Sequence, residues 1–138
     1  MAFTDYFLNT ITKKYAVFKG RATRSEYWFF MLFMWLILIA IVQIMGFFGK
    51  AFVAHKAGIF VFIIFYLALL LPSLAVTVRR LHDTGNSGWM ILIRIIPIIG
   101  GLIIFIFTLM DSNPVANKYG KNPHLIEENL VDHLIEEF

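Results

Sequence analysis

WFFMLFMWLILIAIVQIMGFF, residues 28–48, contains no charged residue. As an α-helix it rises about 30 Å, the thickness of a bilayer's hydrocarbon core. Two further runs have similar length. IFVFIIFYLALLLPSLAVTV at 59–78 is uncharged, and WMILIRIIPIIGGLIIFIFTLM at 89–110 holds only Arg94. Backbone N–H and C=O groups find no water in hydrocarbon, so such segments must pair them internally as helices. The composition agrees, with 59% hydrophobic residues and a mean hydropathy of +0.76. The expected fold is an all-α integral membrane protein: an N-terminal amphipathic interfacial helix, then three transmembrane helices, the third Pro-kinked.

Charge sets the expected orientation. Lys13, Lys14, Lys19, Arg21 and Arg24 precede the first span, and Arg79 and Arg80 close the second. The intervening loop, about 49–58, holds only Lys50 and Lys56. Basic residues concentrate on the cytoplasmic side, which places the N-terminus and the 79–88 loop inside and the 49–58 loop outside. Absence of cysteine excludes disulfides, thiol catalysis and cysteine–zinc sites. No cleavable signal peptide is expected, since the first apolar run starts late and is too long for one.

Residues 1–123 read as one membrane domain. Phe3, Phe7, Ile11, Tyr15 and Phe18 recur at helical spacing, predicting a helix over 2–19 ended by Gly20, its aromatic face in the headgroups or against the bundle. Thr23 to Glu26 has the pattern of a capping box that starts the first span near Arg24. Pro72 and Pro97 each remove an amide and predict kinks. Length favours one span across 89–110, which carries the C-terminus outside. The alternative is a re-entrant hairpin, or two short helices, broken at Pro97 to Gly101, which returns it to the cytoplasm. Residues 111–123 read as a polar loop and 124–138 as an acidic tail, with two lysines against six acids from 111 onward.

The densest polar cluster is RRLHDTGNSGW at 79–89. Arg21, Arg24, Glu26, Arg79, Arg80, His82 and Asp83 all fall near one membrane face, and the arginines and acids among them are expected to form one charge network. Within the spans, Arg94 either snorkels to phosphates or turns inward to Ser73, Thr77 or carbonyls freed by Pro72. Gln43 and Tyr66 lie at matching depths, within reach of an interhelical hydrogen bond. The four histidines lack a zinc-binding spacing, no phosphate loop or nucleophile motif occurs, and no metal, cofactor or catalytic residue is expected.

FKGRATRSEYW at 18–28, VRRLHDTGNSGW at 78–89, IPIIG at 96–100 and NKYGKNP at 117–123 resemble the signature blocks of the domain-of-unknown-function 805 family. The resemblance implies a small bacterial inner-membrane protein and supplies no activity. On matching positions it points to Gly20, Arg21, Arg24, Glu26, Trp28, Arg79, Arg80, Leu81, His82, Asp83, Gly88, Trp89, Asn117, Tyr119, Gly120 and Pro123. Conventional apolar spans with the polar blocks outside them make the expected function non-catalytic, through assembly, partner binding or lipid contact at the cytoplasmic face. The expected partners are anionic headgroups, with a homo-oligomer or membrane-protein partner as a further option and no nucleic acid. The alternatives are a subunit of an oligomeric small transporter or channel, with Pro72, Pro97 and Arg94 lining its path, or a headgroup enzyme using His82 and Asp83.

Overall fold

The computed structural model describes residues 3–47 and 56–136; most of the 49–58 loop, with Lys50, lies outside them. The elements are α1 (Phe3–Thr12), α2 (Arg24–Phe47), α3 (Lys56–Asp83), a 3-10 helix (Gly88–Ile95), α4 (Ile99–Leu109) and α5 (Pro123–Glu136). Among the described residues, only α2 and α3 are helices long and apolar enough to cross a membrane. Their large side chains are mostly exposed, among them Trp35, Ile39, Val42, Phe60 and Leu67, as lipid-facing surfaces are.

Local chemistry sets the ends. The Glu26 amide donates to the Thr23 hydroxyl at 3.1 Å, so Thr23 caps α2. The reciprocal half of the capping box does not form, because the Glu26 carboxylate is drawn to Arg79 instead. At the other end of the pair, Asn86 N–H donates to Leu81 C=O and Gly85 N–H to His82 C=O. Gly85 has φ +83°, and this Schellman motif stops α3. Pro72 leaves the Ala68 carbonyl without its helical donor. The Tyr15 hydroxyl donates to that carbonyl at 2.6 Å.

The helix expected over 2–19 ends earlier, at Thr12. The Lys13 and Lys14 amides both donate to Asn9 C=O, which closes the turn, and the chain then runs out of helix to pair Ala22 N–H with Arg79 C=O at 3.0 Å. The face of α1 meets the bundle. Phe7 stacks on Phe30 with centroids 5.6 Å apart, and Phe7 and Ile11 pack on a core of Ala22, Tyr27, Phe30, Met31 and Val76.

The single kinked helix expected over 89–110 does not form. A 3-10 helix and α4 replace it, each rising about 16 Å, roughly half of the hydrocarbon thickness. They pack together as a hairpin whose tip holds Pro97 and Ile98. Ile98 takes φ +65°, a strained conformation for a β-branched residue. The arms touch at Gly100, where a Cβ would run into the Ile93 carbonyl. The tail forms α5, capped by Asn122, whose side chain accepts from His124 N–H at 3.0 Å. Among the described residues, α5 packs on no other helix.

Candidate functional site

Four segments converge where α2 begins: residues 20–23, the end of α3, the end of α4 and the loop 111–122. Asp83 is completely buried and sits at the centre. Its Oδ1 accepts from Arg21 Nε at 2.8 Å, and its Oδ2 accepts from Arg80 and from the Ser112 hydroxyl. Its backbone carbonyl accepts from Asn113 N–H at 2.9 Å.

The two arginines spend their other donors on carbonyls. Arg21 reaches Asn113 at 2.6 Å and Val115 at 2.9 Å. Arg80 reaches Ala22, Thr108 and Met110. The last carbonyls of a helix lack internal partners and carry partial negative charge. Those of α4 are met by Arg80 on either side and by Arg24 at Leu109, 3.1 Å. This is a clasp, and it binds the end of the hairpin to the beginning of α2.

Glu26 forms a second centre with Arg79 and Lys14. Arg79 is 1% exposed, and its Nε and Nη2 have no partner. Three arginines against two carboxylates leave this buried region one positive charge in excess, before the half-exposed Lys14 is counted. Arg24 stands apart, joined to Asp111 at the surface.

His82 and Asp83 do not form a dyad. His82 Nδ1 lies 3.1 Å from the Gly20 carbonyl, so that nitrogen carries the proton. The imidazole stacks on Tyr119 at 3.7 Å and 7°. Gly88 packs beside it; a Cβ there would lie 2.9 Å from His82 Nε2. Asn117 ties the loop to His82 C=O at 2.9 Å.

Arg21, Arg79, Arg80, Glu26 and Asp83 are thus brought together, with Arg24 on the rim. Within the apolar segments, Arg94 lines a cavity of about 320 Å³ with Tyr66 and Ser73. It hydrogen-bonds none of its expected inward partners: the Ser73 hydroxyl donates to Leu70 C=O, the Thr77 hydroxyl to Ser73 C=O, and the Ala68 carbonyl freed by Pro72 is taken by Tyr15. Gln43 and Tyr66 line one adjoining cavity of about 510 Å³ without hydrogen-bonding each other. Asp111, Ser112 and Asn113 were invisible as site residues in the sequence. Only the two lysines that follow them, Lys118 and Lys121, hinted that this loop shares the basic face.

The model of a family of proteins of unknown function, DUF805, matches residues 15–121. The chain belongs to that family. It is 37% identical over 123 residues to the inner membrane protein YhaH of Escherichia coli K12, covering 88% of this chain and 98% of that one. It is 33% identical over 116 residues to inner membrane protein YhaI of the same strain, covering 83% and 92%. Similarity to its uncharacterized protein YiiR is 28% over 130 residues, covering 76% and 84%. No solved structure matches the chain. The chain is accordingly a helical protein of the bacterial inner membrane. The family match spans the whole clasp and ends just before α5.

Proposed function

We propose that this DUF805 protein is a non-catalytic, two-span membrane protein with both termini in the cytoplasm, whose clasp presents a basic face to anionic lipid. The third apolar run enters the cytoplasmic leaflet as a hairpin and leaves on the same side. The observation that carries this reading is the capture of the α4 carbonyls by Arg24 and Arg80. It brings exposed Lys118 and Lys121 to the end that already holds exposed Lys13 and Lys19. Basic residues at an anionic surface gain roughly 1 kcal/mol each. The bonds of Asp83 and His82 to Arg21, Arg80, Ser112 and Gly20 favour a structural role over acid–base catalysis. α5, outside the bundle, offers an acidic surface to a protein partner or a second copy.

Transport is less favoured: Pro72 is buried and Pro97 sits at the hairpin tip, and neither lines the Arg94 cavity. Native mass spectrometry of the purified protein against equimolar anionic and zwitterionic lipid tests the lipid reading. Lys13, Lys19, Lys118 and Lys121 changed together to Gln should cut the anionic preference about tenfold or more. An unchanged preference contradicts it.

A further inference from the structure

Arg94, Tyr66 and Gln43, the polar side chains singled out inside the apolar runs, all open on the seam between α2 and α3. The cavity at Arg94 shares Trp35, Leu38 and Tyr66 with the one that reaches Gln43. That one shares Val42 and Phe62 with a third, of about 390 Å³, that reaches Gly46. From Met34 to Gly46 the seam follows about 18 Å of α2 at 1.5 Å per residue. It is a continuous, largely apolar groove with a cation near one end.

That cation is deep. Arg94 is six residues past Gly88, about 12 Å at the 3-10 rise. Ser73 in the same cavity is ten residues before Asp83, about 15 Å along α3. Arg94 has no ion-pair or hydrogen-bond partner among the described residues. A guanidinium at this depth is costly unless it is paired. No Asp or Glu occurs between residues 27 and 82 or between 84 and 110, so neither this chain nor a second copy supplies a counter-charge from its apolar segments. Arg94 is exposed, so its counter-charge comes from outside the chain, either a lipid phosphate reached by snorkelling or a bound anion.

We propose that the α2–α3 seam binds a single-chain amphiphile with a carboxylate head, a fatty-acid anion, with its head on Arg94 and its chain toward Gly46. The guanidinium fork matches a planar carboxylate bidentately. Tyr66 lines the same cavity and carries a hydroxyl donor. The three cavities follow one another in single file, which suits one chain. This groove lies apart from the lysine face and does not depend on it.

Trp35 lines both cavities at the head end and is 60% exposed, so it reports occupancy directly. Full-length protein with Trp28→Phe and Trp89→Phe retains Trp35 as its single tryptophan. In detergent it is titrated with a chain-brominated fatty acid, its methyl ester, and phosphatidylglycerol with brominated chains. The expected result is saturable quenching by the acid alone. Arg94→Gln should raise half-saturation about tenfold or more, while Arg94→Lys recovers part of the affinity. Val42→Phe, which narrows the groove without touching charge, should weaken binding of the long chain. Should Arg94→Gln fail to fold, the acid–ester contrast on the unaltered groove and the Arg94→Lys titration decide. Equal quenching by ester and acid, or a titration unaffected at Arg94, overturns the proposal. So does saturable, Arg94-dependent quenching by phosphatidylglycerol but not by the acid.

Discussion

Arg21 and Asp83, 62 positions apart, meet through an Nε–Oδ1 hydrogen bond of 2.8 Å with both side chains buried. Arg80 and Ser112 occupy the other carboxylate oxygen, so one residue joins the start of α2, the end of α3 and the loop after α4. A buried ion pair is weak evidence of net stability, since desolvation offsets much of the attraction. Removing one partner is different, because it strands the others.

Asp83→Ala therefore leaves two buried arginines without their carboxylate and should cost about 3–5 kcal/mol. Asp111→Ala breaks a pair whose side chains are 49% and 84% exposed and should cost about 1 kcal/mol or less. Equilibrium unfolding in mixed detergent micelles compares them; equal losses would argue against the clasp.

Tyr15→Phe removes the hydroxyl that satisfies the Ala68 carbonyl and should cost about 1 kcal/mol. Pro72→Ala restores the helical amide to that carbonyl. In the Pro72→Ala background the Tyr15 substitution should be nearly neutral, a coupling that a double-mutant cycle measures.

Much of this architecture was legible in the sequence. The two long helices followed from uncharged runs, and the start of α2 from Thr23. The hairpin was not legible by length, because 22 apolar residues satisfy the requirement for a span whichever way they fold. What bends the chain is a local break at Pro97 and Ile98 together with distant arginines that hold the carbonyls of Thr108, Leu109 and Met110. Such pairing has no local periodicity. Likewise Ser112 and Asn113 look like ordinary loop residues until the fold sets them against Asp83.

Gly100 and Gly101 should respond oppositely to alanine. In a helix interior alanine is favoured over glycine by about 1 kcal/mol. At Gly101 nothing lies near the new Cβ, so stability should hold or rise. At Gly100 the Cβ meets the Ile93 backbone and must force the arms apart, giving a clear loss in the same unfolding assay.

Tyr119→Ala removes the ring stacked on His82 and should cost about 0.5–1.5 kcal/mol beyond the lost burial. Hydrogen exchange should accelerate at the Asn113 amide, which donates to Asp83 C=O, while amides in the middle of α2 stay unchanged. Uniform acceleration would place the ring's contribution in the whole bundle instead of the loop.

The central claim is that the hairpin returns the chain to the cytoplasmic face. Since the protein contains no cysteine, single cysteines can be introduced without background and probed with a membrane-impermeant thiol reagent. In the proposed orientation, cysteines at Ser25 and Ser87 label only after permeabilisation, and one at Ala54, between the spans, labels from outside. Asn129 is exposed on α5, where a cysteine is accessible to reagent. The account predicts that cysteine at Asn129 labels only after permeabilisation, as at Ser25 and Ser87. Labelling of that cysteine in intact cells, as at Ala54, would mean that residues 89–110 cross the membrane, and would contradict it.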